Sequence, residues 1–485
     1  MAASTTSATG GYTITLTTPP QVTSSDPEQS NPYQSQSCGY VPGSPSPTVG
    51  NPINFDLGYK IQTEQDYRGG RLSFTRLYRS DSTWTDNTVG ARWRHNFART
   101  LTVAGSSAEI IDGSGTKETY TLVSSNWVAD NPENTAKFET LGGGGYAYTL
   151  ADNTREVYDS SEKLIRIEYL GGGAVDLAYD GGGLLETVTD ENGRELEFTY
   201  ASGKVATVTT PEGVFSYSYD GSGNLTEVEN PASQTREYHY EDTNFIHALT
   251  GITDETAVRY ATYAYDAQGR AVLSKHAGDV DSYSVTYNAD GSVTTTNPLG
   301  KDTTYYFLKV NGVRRIAQVD GHASANCVAS NRYYNYYDNG WLMSKTDWEG
   351  NSTLYIRNDR GLVTQTVEAN GTAAARTTTT TYESNFNLPD VVTVGKRETD
   401  YDYDAFGRVT SVAVKDLDTD ETRTTTYTYY ANTTDGSGNT ILGRVDTITD
   451  PRGSVTKYTY NGDLLVATVT RAYGEAYAQT TSYTY

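Results

Sequence analysis

The chain has 485 residues and a formal net charge of −23, from 37 Lys and Arg against 60 Asp and Glu. No basic stripe interrupts that balance, which argues against a nucleic-acid partner, because such binding depends on neutralising phosphates with Lys and Arg. The 41 Tyr and 46 Gly, set against 10 Phe and 2 Met, favour strands and turns over helices.

Residues 1–50 read as a flexible leader rich in Ser, Thr, Pro and Gly, with Thr18-Pro19-Pro20 and Pro42-Gly43-Ser44-Pro45 opposing regular structure. The leader has no charged region followed by an apolar core, so it does not read as a cleavable signal peptide. Nor does the chain contain a run of about 18 apolar residues, so no membrane span is expected. Residues 51–137 are β-like but irregular, and hold Trp84, Trp93 and Trp127.

Residues 138–485 form an array in which one phrase recurs: Tyr219-Asp220-x-x-Gly223, Tyr265-Asp266-x-x-Gly269 and Tyr403-Asp404-x-x-Gly407. Looser copies stand at Tyr158-Asp159, Tyr179-Asp180 and Tyr337-Asp338, and Arg357-Asn358 leads another to Gly361. The anchors Tyr158, Tyr179, Tyr200, Tyr219, Tyr240, Tyr265 and Tyr287 follow one another at steps of 19 to 25 residues, the size of one small supersecondary unit. A unit that short cannot bury its own apolar face, so successive copies must stack.

Each copy is legible as chemistry. Aromatic pairs at i and i+2, such as Tyr217/Tyr219, Tyr263/Tyr265 and Tyr401/Tyr403, lie on one face of a strand. Thr, Ser and Asp at the alternate positions suit a solvated opposite face. The Asp caps its own turn, the Gly takes a positive φ, and a bulge is expected at the glycine. Arg270-Ala-Val and Arg408-Val-Thr then begin the next strand. The expected fold is all-β: hairpins joined into one long, curling antiparallel sheet that forms a partial or whole hollow shell.

Candidate chemistry outside the repeat is sparse. Cys38 and Cys327 give no disulfide framework. Asp220-x-Ser222-x-Asn224 and Asp435-x-Ser437-x-Asn439 space oxygens as calcium loops do, but lack the glycine and distant Glu, so they read as turns. Of five histidines, His95 suits packing and His239 a solvated strand face. Metal-protease, phosphate-loop and nucleophile-elbow motifs do not occur, so no catalytic, cofactor or metal residue is assigned. The tyrosine ladders suit cross-strand stacking first, at about 0.2–1 kcal/mol per pair.

The segment before the array carries a resemblance. It runs Gly50-Asn51-Pro52, Glu64-Gln65-Asp66-Tyr67, Leu72-Ser73-Phe74-Thr75-Arg76-Leu77-Tyr78 and Gly90-Ala91-Arg92-Trp93-Arg94-His95-Asn96-Phe97. Followed by the periodic Tyr-Asp phrases, this order resembles Rhs/YD-repeat proteins over nearly everything after Gly50. The resemblance implies a strip of hairpins spiralling round a cavity, with residues 51–137 as an N-terminal β cap and residues 138–485 as the shell. It implies a secreted or cell-surface bacterial protein whose C-terminal cargo is a toxin, with secretion machinery as a further partner. Toxin-releasing members carry a cleavage core after the shell. Here Asp26-Pro27 and Asp450-Pro451 lack its following sequence, and the chain stops on a strand at Tyr483-Thr484-Tyr485, as a fragment or truncation would. The leading expectation is a non-enzymatic shell or scaffold that encloses or presents a C-terminal effector. The alternative is an adhesion module that binds glycans or a cell-surface protein through the outside of the sheet.

Overall fold

A computed structural model describes residues 47–81, 87–323, 329–430, 443–461 and 465–484. Cys38, Cys327, Trp84, Asp26-Pro27, the Asp435 loop, Tyr485 and nearly all of the expected leader lie outside the described residues. The described chain is strand and turn, with one short 3-10 turn at Ala277–Asp279 and no α-helix. It forms three sheets, of five strands (Thr48 to His95), four strands (Thr100 to Ala129) and 31 strands (Lys137 to Ser482). In each sheet every strand pairs with the next in sequence, and the largest sheet ends on two different strands without closing. Thr48–Val49 pairs with Ile53–Asn54, so strand structure begins just before residue 51.

The repeat phrase explains both the hairpins and their curvature. In the turn after Tyr219, Gly223 N–H donates to Asp220 O at 3.0 Å, and Asp220 N–H to Asn224 O at 3.0 Å. Asp220 Oδ1 accepts from the backbone N–H groups of Ser222 and Asn224 at 2.8 and 2.9 Å, so the carboxylate holds the corner. Gly223, Gly269 and Gly407 have φ of 83°, 77° and 75°, the left-handed region where a side chain is strained. The expected bulge at the glycine is displaced onto the next strand. Tyr219 pairs with Leu225 but Ser218 with Glu227, leaving Thr226 as the extra residue. The same shift precedes Tyr158, Tyr179, Tyr200, Tyr265, Arg357, Tyr403, Tyr429 and Tyr460. The tight Asp-to-Gly closure leaves no room for the extra residue within the turn. A bulge repeated at one end of the hairpins bends the strip consistently in one sense.

The bend brings the strip back onto itself. Asn387 N–H donates to Asn153 Oδ1 at 2.7 Å, 234 residues earlier, and its side-chain amide to Ala151 O at 3.0 Å. Gly171 N–H donates to Phe406 O at 2.7 Å. Residues 151–154 and 170–173 are turns at the rim opposite the Tyr-Asp turns, whereas Phe406 belongs to a Tyr-Asp turn and Phe386–Asn387 to the equivalent turn after Tyr382-Glu383. The second pass therefore stacks its Tyr-Asp rim on the opposite rim of the first, as a spiral does.

Candidate functional site: the inner wall and its cap

The tyrosine at each repeat is a staple between hairpins. The hydroxyls of Tyr179, Tyr200, Tyr219, Tyr265, Tyr403 and Tyr429 donate to the backbone oxygens of Leu164, Leu185, Val205, Leu249, Pro389 and Val409 at 2.7–2.8 Å. Leu164, Leu185, Pro389 and Val409 begin the strand after the preceding corner, and Val205 is the second residue of its strand. Burial pushes the phenols of Tyr179, Tyr219, Tyr265 and Tyr403 above their ordinary range, and that of Tyr429 to about 12. Tyr158 departs from the pattern and donates to Glu156, which Arg99 also contacts. Arg270 and Arg408 each bond the Asp of their own corner and lie over the next anchor ring, Tyr287 at 4.1 Å and Tyr429 at 4.5 Å. The looser copy at Tyr337-Asp338 is shifted by one residue. Tyr336 is its staple, to Ile316 O, and Tyr337 takes the corner position that Asp fills elsewhere. Asp338 is exposed there, with its carbonyl accepting from Asn311.

The concave face of the first pass is filled by residues 47–81 and 87–99. Their backbone meets the Tyr-Asp rim at three points: Ala91 N–H to Gly223 O, Val205 N–H to Thr88 O, and Ala271 N–H to Gly58 O, each at 2.8 Å. From that rim their side chains enter the bore. Phe74, Tyr78, Trp93 and Phe97 share one buried cluster with Leu164, Val188, Phe198, Val208, Tyr217 and Tyr238 of the wall. Ile53 and Phe55 join a second with Ala271, Val285, Ile316 and Leu342. Trp93 is fully buried, donates Nε1–H to Tyr240 Oη at 2.8 Å, and meets Tyr238 edge-on at 5.2 Å.

Charged groups fix the register of cap and wall. Asp66 holds Arg76 through two bonds, at 2.6 and 2.8 Å, and accepts from the Tyr217 hydroxyl at 2.8 Å. Arg76 also donates to Tyr238 Oη at 2.9 Å, and its guanidinium lies 5.1–5.6 Å from the rings of Trp93, Tyr217 and Tyr238. Burial opposes the Arg76 charge, but Asp66 and Tyr238 more than offset it, so its pKa is raised. Nearby, Arg236 of the wall joins Glu64 of the cap at 2.9 Å and takes Glu255 through two further bonds. Burial raises the Glu64 pKa against the opposing charges of Arg236 and Arg76. Lys60 is fully buried, 4.2 Å from the centre of the Tyr263 ring, and burial lowers its pKa well below the ordinary lysine range. Asp56–Arg314 and Glu133–Arg315 pin the later part of the pass.

The second pass has no such filling. Beyond Leu342 the buried side chains among the described residues are Leu388 and Thr399. Tyr401 and Tyr403 stack at 6.4 Å, and both, with Tyr427, Tyr458 and Tyr460, are only half-buried. His95 is buried 5.6 Å from the centre of the Phe74 ring, whereas His239, expected in solvent, bonds Thr253 Oγ1 at 2.7 Å. The Asp220 oxygens are occupied by Ser222 and Asn224, as in a plain turn.

The cap–wall network went unassigned in the sequence, although its signal was present. Arg76 is a charge inside the apolar-rich run Leu72–Tyr78, and the wall partners Tyr217 and Tyr238 sit at i, i+2 positions that had read as cross-strand stacking first.

Two family models match the chain: "Domain of unknown function (DUF6531)" over residues 50–120 and "Teneurin YD-shell" over residues 147–256. The chain is a YD-repeat shell protein. The first match falls on the cap and the start of the four-stranded sheet, and the second on the first pass of the YD shell. The sequence matches no curated protein. Among solved structures, a chain of the Photorhabdus luminescens Tc holotoxin pore matches at 13% identity and TM-score 0.48, over 88% of this chain and 22% of that one. A TcdB2-TccC3 crystal structure matches at 12% identity and TM-score 0.43, over 85% of this chain and 23% of that one. The YD shell described here thus spans about a fifth of the length of those chains. No helix among its described residues is long and apolar enough to cross a membrane.

Proposed function

We propose that this YD-repeat chain is a non-enzymatic shell that encloses or presents an effector polypeptide, and that it works outside the cell or at its surface. One observation carries the reading. The cap closes the bore at the Tyr-Asp rim of the first pass, while the second pass extends from the opposite rim with its inner wall uncovered. A guest would therefore sit against residues 350–430, 443–461 and 465–484, beyond the cap. That wall offers tyrosine rings and hydroxyls with Thr and Val between them, as in Thr399–Tyr403 and Tyr427–Tyr429. Such a surface contacts an unfolded chain at many points without the deep apolar pocket that would hold it tightly.

The test is protection in cis. A labelled unfolded polypeptide joined after Tyr485 should be digested by protease at least tenfold more slowly than the same polypeptide free in solution. Equal rates would refute the enclosure reading.

A further inference from the structure

The cap strand Tyr59–Gly69 carries Lys60, Gln62 and Glu64 at alternate positions, so one face presents an amine, a carboxamide and a carboxyl in a row. All three are buried, at 0%, 6% and 7% exposure. Lys60 Nζ donates to the Ile61 carbonyl and, at 2.8 Å, to Gln62 Oε1. From the wall, the Tyr263 hydroxyl donates to the same Oε1 at 3.1 Å, and it accepts from the Asn51 side-chain amide at 3.0 Å. Glu64 Oε1 accepts from Gln62 Nε2 at 2.8 Å, while Glu64 Oε2 holds Arg236. A buried lysine is ordinarily held by a carboxylate. Here the amine is set on the carbonyl side of the amide, and the carboxyl on its nitrogen side. Desolvation lowers the Lys60 pKa and raises that of Glu64, which favours a neutral amine beside a neutral acid.

We propose that Lys60 and Gln62 join in an intramolecular amide crosslink, with Glu64 as the proton carrier. The Lys60 lone pair attacks Gln62 Cδ, and the carbonyl π electrons move to Oε1, where the Tyr263 hydroxyl stabilises the oxyanion. Glu64 gives its proton to Nε2, the Cδ–Nε2 bond breaks, and ammonia leaves. The proton lost from Nζ then returns to Glu64, so one amide replaces another and nothing is oxidised. Burial serves the step twice. It holds nucleophile against electrophile, and it keeps out the water that would compete as a nucleophile. The product is neutral, which relieves the cost of burying an amine. Because Tyr263 belongs to the wall, the set is complete only after the cap has seated, and the crosslink records that event.

Mass spectrometry of the folded full chain tests it. The chain should weigh one ammonia less than its sequence, and trypsin should leave the Lys60–Ile61 bond uncut, because an acylated lysine is not recognised. Lys60→Met and Gln62→Met, both close in shape, should each carry their full mass. Glu64→Gln, followed in time after refolding, should lose ammonia at least about a hundredfold more slowly, the loss expected on removing a general acid–base group. Thermal melts check that each variant is folded. A folded wild-type chain at the full mass of its sequence, or fragment spectra that place the ammonia loss anywhere but Lys60–Gln62, overturns the proposal. Equal rates in Glu64→Gln and wild type overturn the part given to Glu64.

Discussion

Asp66→Ala should uncouple the cap from the wall, and the structure sets the size of the effect. The Arg76 side chain is 1% exposed, and Asp66 supplies both of its charge-assisted bonds. Removing the carboxylate leaves a buried guanidinium without a counter-charge, which costs about 3–5 kcal/mol. It also strands the Tyr217 hydroxyl, adding about 1–3 kcal/mol if nothing replaces the bond. Arg76→Met alone leaves Asp66 as the unpaired charge and should cost a similar amount. In Asp66→Ala/Arg76→Met no unpaired charge remains. Its loss should match one single variant and fall short of the sum by at least about 2 kcal/mol, the signature of a coupled pair. Hydrogen exchange of the strand Leu72–Arg79, read by mass spectrometry, reports the opening free energy directly. Additive losses would show that Asp66 and Arg76 stabilise the cap independently, and the register argument would fail with them.

Other consequences are more local. Glu118, on a strand of the four-stranded sheet, has its pKa raised from 4.5 to about 7, chiefly by burial and further by Asp112, with Asn134 and Asn131 opposing. A carboxyl raised in the folded state contributes stability below the unfolded pKa and loses it as pH rises through the folded one. That sheet should therefore weaken between about pH 4.5 and 7, by at most about 3 kcal/mol and less for its remaining solvent contact. Glu118→Gln should flatten this dependence in hydrogen exchange of residues 117–123, and an unchanged slope would assign it elsewhere. Gly407→Ala combines a φ of 75° with a Cβ 2.5 Å from Leu170 Cδ1, so it should loosen the seam by about 1–3 kcal/mol. Exchange at Gly171 should rise while the capped first pass stays unchanged. Tyr403→Phe removes one staple and should cost about 1 kcal/mol by urea unfolding, with no change in the overall dimensions measured by X-ray scattering.

The repeat was legible because the corner chemistry is local. The Asp and Gly of the corner and the i, i+2 placement of the tyrosines are set within five residues, so spacing alone predicts hairpins and their shared face, whereas the staple bonds of the tyrosine hydroxyls reach 14 to 20 residues back. The position of the bulge was not legible from the phrase. It depends on how the closed turn feeds the next strand, and Thr226 looks like any other strand residue. Tyr336 and Tyr337 show the same limit, since two adjacent tyrosines leave the frame open until backbone pairing decides it. The cap–wall contacts join residues far apart in sequence, Asp66 with Tyr217 and Trp93 with Tyr240, and no local pattern pairs them. The seam is less legible still. Asn153 and Asn387 meet because curvature accumulates over one full pass, and small errors in bend per hairpin would pair other turns.

The central claim is that the cap fills the first pass and leaves the wall of the second uncovered. Hydroxyl-radical footprinting of the intact chain, read tyrosine by tyrosine, tests it most directly. Tyr217, Tyr238 and Tyr263, at 6%, 3% and 3% exposure, should be nearly unreactive, while Tyr401, Tyr427 and Tyr458 should be readily oxidised. Equal protection of the two groups would mean that something else fills the second pass. Equal reactivity would mean that the cap does not occupy the bore.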